Sequence, residues 1–380
     1  MIKKIIIVVS LLLLSVYPIY RNYYYGRAIL QYERHIDFLE VNSRFHNPWQ
    51  YRAFVPLTAE FFKQAYDRTI DRILPVDKYL SFKLPESASP KKSTQEFFQA
   101  LQNPDFIKYN IVYVLYRLLV NVTIFVLLYR LLRNFIENEW LSYMGLIFTA
   151  MAMGNAVNES DLTIHTYLDN VLYLLAALII LNKKSGWYIV LLTAIGATNR
   201  ETCLLIPFLY LISNIDFKKW HDDQFRLLKF PFPKREVVAV TAVAGLIFIA
   251  IFVALRWYYG YEPQTQWKVP AGLPMLKLNF FSAIGIKSYF EMLGMFSVIP
   301  FICLYRFYST SYLLRVWFIF IVPIWFLVHW TFVVAYQSRL FLVPTLIIFL
   351  PMFLQIIEIY YSQKKEAGTL KKDDKRSLLI

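Results

Sequence analysis

Asn199, Arg200 and Glu201 stand together in "ATNRETCLLIPF", with apolar residues on both sides. An ionised group buried in lipid costs roughly several kcal/mol unless it is paired or wet. Asp169 raises the same problem in "NESDLTIHTYLDNVLYLLAALII", because it enters an apolar run just after His165. A cationic partner would relieve it, and Arg200 is the natural one. Glu159 and Asp161 form a carboxylate-x-carboxylate pair just upstream, a pattern that suits general-base work or metal binding but that also arises by chance. Arg52, Arg256 and Arg339 lie at the ends of other apolar runs. Guanidinium groups gathered from distant segments suit a phosphate or pyrophosphate, which several donors can hold at once. For Arg52 the plain alternative is a side chain reaching out to lipid headgroups, and for Asp169 with Arg200 it is a structural pair holding two spans together.

The elements that position these residues are membrane helices. The chain has 380 residues, 58% hydrophobic, 18% aromatic and 17% charged. That balance is wrong for a soluble domain, and several runs approach the roughly 20 apolar residues that cross a bilayer. The net charge of +14 is read as orientation by basic inner loops, not as nucleic-acid binding. Cys203 and Cys303 lie in apolar segments, so neither a disulfide framework nor a Cys-based metal site is expected. No HExxH, P-loop or GxSxG motif is present.

The first 20 residues read as an uncleaved span. Later spans fall near 109–132, 140–156, 167–182, 236–258, 289–305, 312–336 and 339–361. Residues 187–213 are threaded by parity. The tail 363–380 is rich in Lys and Arg, so both termini should be cytoplasmic and the crossings even in number. A hairpin of two short limbs, about 187–198 and 202–213, satisfies this. Its turn must then be shielded by protein or line a wet cavity. The expected fold is all-α, about ten membrane segments in one domain over 1–362. The long outer loop 21–108 carries amphipathic helices. There Ile29, Tyr32, Ile36 and Leu39 recur on one helical face, and Glu33, Asp37 and Glu40 on another. A second stripe, Phe54, Leu57, Phe61 and Ala65, follows Arg52. The threading puts Arg52, His165, Asp169, Asn199, Arg200, Glu201, Arg256 and Arg339 on the outer face, as candidate substrate-binding residues. His329 reads as a core residue.

Three stretches, "WQYRAFVP", "LDNVLYLLAALIILNKK…ATNRETCLLIPF" and "SRLFLVP", resemble bacterial members of the GT-C superfamily of membrane glycosyltransferases. The resemblance covers most of the chain as an architecture, through short motifs. It implies an inner-membrane enzyme with its active face outward. It also implies inverting transfer of a sugar from a polyprenyl-phosphate donor to a lipid or glycan acceptor, with a carboxylate as base. Arg side chains, alone or with a divalent cation (Mg or Mn), would hold the leaving phosphate. The superfamily's acidic motif usually sits in the first outer loop, which here has no Asp-x-Asp or Glu-x-Asp. The base is therefore open between Asp161, placed first, Glu159, Asp37 and Glu40. Other functions remain open: a transporter or flippase for lipid-linked saccharides, an O-antigen polymerase or ligase, and a non-catalytic subunit of the same architecture.

Overall fold

The computed structural model describes residues 2–24, 27–40, 48–79, 96, 99–157, 163–222, 230–263, 265–266 and 268–377. Helices dominate throughout, with one pair of two-residue strands, Thr265–Gln266 and Val269–Pro270. The chain opens with α1 (Ile2–Tyr24), α2 (Ala28–Leu39) and α3 (Phe54–Arg68). Three longer helices follow, α4 (Pro104–Leu132), α5 (Glu139–Ala156) and α6 (Thr163–Leu181). Asn103 and Asn138 start α4 and α5 by accepting hydrogen bonds from the exposed amides of the first turn.

Residues 187–213 form a broken hairpin. Helix α7 (Trp187–Ala197) ends at Thr198, and a tight turn at Glu201–Leu204 leads into α8 (Leu205–Ser213). Eleven helical residues rise about 17 Å, roughly half a hydrocarbon core. The two limbs lie against each other and against α9 (Arg235–Tyr259). The close turn depends on Gly196, where an added Cβ would lie 2.5 Å from the Cys203 Cβ. Next come α10 (Leu273–Phe281), α11 (Ala283–Phe296), α12 (Ile299–Tyr305), α13 (Tyr312–Phe332) and α14 (Leu350–Ser377).

Among the described residues six helical segments are long and apolar enough to cross a membrane, in α1, α4, α6, α9 and α13 and over Ser338–Lys364. The chain is an integral membrane protein on these helices. The expected ten segments are not reached. The hairpin limbs are too short to cross, and α5 is diluted by Ser, Gly, Thr and Asn. The span expected at 289–305 is two helices, α11 and α12, meeting at a 69° bend. Ser297 sits at that bend with φ 50°, and Pro300 opens the second helix.

The segment between α1 and α4 also differs from its stripe pattern. On α2 the buried positions are Ala28, Gln31 and His35, while Leu39 is exposed. His35 packs between Tyr109 and Tyr113 of α4, so α2 is clamped on the bundle. On α3 the buried face is Val55, Ala59 and Tyr66, and Leu57 and Phe61 point outward. An exposed apolar face of this kind suits a helix lying at a membrane surface.

Candidate functional site

The hairpin turn is buried, not lipid-exposed. Asn199 and Arg200 are almost fully enclosed, as is Asp169 one helix away on α6. Arg200 Nη1 lies 3.1 Å from Asp169 Oδ2. Asn199 Nδ2 donates to Asp169 Oδ1 at 2.6 Å and to the His165 carbonyl at 2.9 Å. The His165 ring nitrogen Nδ1 meets Asn199 Oδ1 at 3.1 Å. The turn is therefore stitched to the first two turns of α6. Tyr173 strengthens the seam by donating to the Thr202 carbonyl at 2.6 Å.

Glu201 serves a different pair. Its carboxylate lies 3.2 Å from Arg52 Nη2 and 3.6 Å from Arg256 Nη2. Arg52 is delivered by the single helical turn Trp49–Tyr51. Two bonds flank Arg52: Tyr51 donates to the Gly260 carbonyl at 2.7 Å, and the Phe54 amide donates to the Thr198 carbonyl at 3.1 Å. The segment between α1 and α4 is thus bonded directly to the hairpin tip. Burial pulls Arg52 down to about 10; the Glu201 carboxylate resists, and the nearby Arg200 charge adds to the pull. Arg52 stays protonated at neutral pH all the same.

Arg339 arrives from the turn Ser338–Phe341, after α13. Its Nη1 lies 3.5 Å from Thr166 Oγ1, the same hydroxyl that Arg200 Nη1 reaches at 3.5 Å. Its Nη2 donates to Gln337 Oε1 at 2.8 Å. The Trp49 ring gathers three guanidiniums within cation–π range: Arg52 at 4.3 Å, Arg34 at 5.3 Å and Arg339 at 5.6 Å from its centroid. Arg52, Arg200 and Arg339 thus meet around one aromatic ring and one hydroxyl, with Glu201 and Asp169 as the carboxylates paired to the first two.

A cavity of about 50 Å³ opens beside this cluster, lined by His35, Asp37, Trp49, Arg52, Tyr113 and His165, among others. Asp37 Oδ2 is buried there with no hydrogen-bond partner, so a first-loop carboxylate looks into the site. Glu40 does not, since it caps α2 and is exposed. Glu159 and Asp161 lie outside the described residues. Arg52, His165, Asp169, Asn199, Arg200, Glu201, Arg256 and Arg339 are all brought together. His329 is a buried core residue whose Nδ1 lies 2.7 Å from the Trp325 carbonyl. Among the described residues no three His, Cys, Asp or Glu side chains gather as a metal site.

Trp49, Thr166, Gln337 and Arg34 were not singled out as site residues in the sequence. An aromatic next to Arg is the ordinary pattern of a headgroup anchor, and the shared Thr hydroxyl has no sequence signature. Comparisons with family models, curated proteins and solved structures find no match to this chain.

Proposed function

We propose that this chain is a membrane glycosyltransferase of the GT-C kind, acting on a polyprenyl-phosphate-linked sugar. The observation that carries the reading is the convergence of Arg52, Arg200 and Arg339 on Trp49 and Thr166. The three come from three distant segments. Such a cluster suits the phosphate of a lipid-linked donor: it holds the group in the ground state and more strongly as leaving-group charge develops.

The step balances without a redox partner. An acceptor hydroxyl loses its proton to a carboxylate, and its oxygen bonds to the anomeric carbon from the face opposite the phosphate. The bond from that carbon to the phosphate oxygen breaks, and the polyprenyl phosphate leaves with the electron pair, held by the guanidiniums. Asp37 is the described carboxylate best placed as base, since it borders the cavity with an unpartnered oxygen. Asp169 and Glu201 are committed to ion pairs and position Arg200, Arg52 and Arg256. Trp49 supplies a flat face against which the sugar ring can stack.

The test is transfer from polyprenyl-phosphate hexoses by the full chain in proteoliposomes. Arg339→Gln is the informative variant, because it leaves the Arg200–Asp169 pair intact. Transfer should fall at least about 100-fold, the usual scale for loss of one transition-state donor. No transfer from any donor, with lipid-linked glycan instead crossing the vesicle, would replace the transferase reading with a flippase.

A further inference from the structure

A second site lies at the opposite end of α4 and α6 from the guanidinium cluster. An open pocket of about 440 Å³ separates the last turns of these two helices. Its wall is apolar: Leu127, Leu175, Leu178 and Ile179. Its rim is basic, with Arg130, Arg133 and Lys184. Arg133 is used by the fold, donating to the Ile136 carbonyl at 3.0 Å and to that of Glu137. Arg130 and Lys184 are exposed, and among the described residues neither has a carboxylate within ion-pair distance. Asn134 and Asn182 complete the rim. Each donates its amide N–H one turn back, to the Arg130 and Leu178 carbonyls, so its amide oxygen is the group left to accept a hydrogen bond.

The backbone at this rim is shaped at a cost. Helix α6 ends with the Lys184 amide donating to the Ile179 carbonyl and the Lys183 amide to that of Ile180. This ending calls for a left-handed residue, normally Gly, at position 183. The chain places Lys183 there at φ 49°. The turn that results sets Lys184 on the pocket rim. Exposed Trp140, Trp187 and Tyr188 surround the same helix ends, an aromatic belt of the kind that marks the headgroup layer.

We propose that this pocket binds an anionic phospholipid of the surrounding bilayer, with its phosphate between Arg130 and Lys184. The acyl chains run along the Leu and Ile wall, and the amide oxygens of Asn134 and Asn182 accept hydrogen bonds from headgroup hydroxyls. A glycerol headgroup offers such hydroxyls and a choline headgroup offers none, so phosphatidylglycerol fits better than phosphatidylcholine. The site is some α-helical turns away from Arg200 and Asp169 and stands independently of the glycosyltransferase proposal.

The test is native mass spectrometry of the full chain released from micelles carrying equal phosphatidylglycerol and phosphatidylcholine. The wild type should retain phosphatidylglycerol about 25-fold over phosphatidylcholine, at about fivefold for each basic contact. Arg130→Gln with Lys184→Gln should remove the preference, while Arg306→Gln with Arg315→Gln, basic residues away from the pocket, should keep it. Equal retention of the two lipids by the wild type overturns the proposal, and needs no variant to fold. So does a preference that survives the Arg130/Lys184 exchange. Inorganic phosphate stabilising the protein against heat as well as phosphatidylglycerol does, and losing that effect in the Arg130→Gln with Lys184→Gln variant, would also overturn it, by showing a site for a soluble anion.

Discussion

Replacing Asp169 with Ala tests whether the hairpin tip is held as a buried ion pair. Asp169 is fully enclosed and Arg200 nearly so. Their 3.1 Å contact is backed by the 2.6 Å hydrogen bond from Asn199. Removing the carboxylate leaves a guanidinium uncompensated in a low-dielectric interior and takes one acceptor from Asn199. Breaking a buried pair from one side costs about 3–5 kcal/mol, so a loss of about 4 kcal/mol is expected. Asp169→Leu with Arg200→Met removes both charges and should cost clearly less than the sum of the single changes, with a coupling of about 2–3 kcal/mol. Equilibrium unfolding of the purified chain in mixed micelles of rising SDS content, followed by fluorescence of its nine Trp residues, gives these differences. A loss under about 1 kcal/mol for Asp169→Ala, or single changes that add within about 0.5 kcal/mol, would refute the buried-pair reasoning.

Three other outcomes are expected. Gly196→Ala should open the hairpin, because its new Cβ would press on Cys203; a cost of about 1–3 kcal/mol is expected in the same unfolding assay, against no cost for Ala at Gly245, which has open space. Glu201→Gln should cost only about 1–2 kcal/mol, since the carboxylate is one-third exposed, and should leave binding of an anionic donor intact; transfer falling to background with binding unchanged would instead make Glu201 the base. The third concerns pH. Burial holds the His35 imidazole down at about 4, with partial opposition from Glu60. The unfolded chain binds a proton near 6.5, so between pH 6.5 and 4 it holds more protons than the folded one, and stability falls as pH falls across that window. The ceiling is about 3 kcal/mol, and His35→Phe should flatten that part of the stability profile; an unchanged profile would mean another group governs it.

Much of the site's frame was readable from the cost of buried charge. Asp169 inside an apolar run demanded a cation, and charge parity turned residues 187–213 into a hairpin whose tip could supply Arg200. The 3.1 Å contact answers the first demand; the two short limbs are present, although the count of ten segments on which the parity argument stood is not reached. Other features had no local signal. The Trp49 ring gathers Arg34, Arg52 and Arg339 from separate segments, and a single Trp beside an Arg reads the same whether it meets lipid or a cluster. Helical periodicity grouped Leu57 with Phe61 correctly but could not say whether that face met protein or lipid, since both solvents are apolar. The bend at Ser297 was legible in principle from Pro300, yet an apolar window across 289–305 hides it. His35 lies beside Leu39 at the edge of the apolar stripe of α2, where its own type says nothing of burial, and the tyrosines of α4 enclose it.

Equilibrium binding of a short-chain prenyl phosphate, with the corresponding prenyl alcohol as control, tests the guanidinium cluster most directly. A charge-assisted hydrogen bond contributes about 1.5–3 kcal/mol. The full chain in nanodiscs should therefore bind the phosphate at least about 30-fold more tightly than the alcohol, and Arg339→Gln or Arg52→Gln should each remove about tenfold of that difference. Equal affinity for phosphate and alcohol, or a preference unchanged by both substitutions, would contradict a phosphate-holding role for Arg52, Arg200 and Arg339.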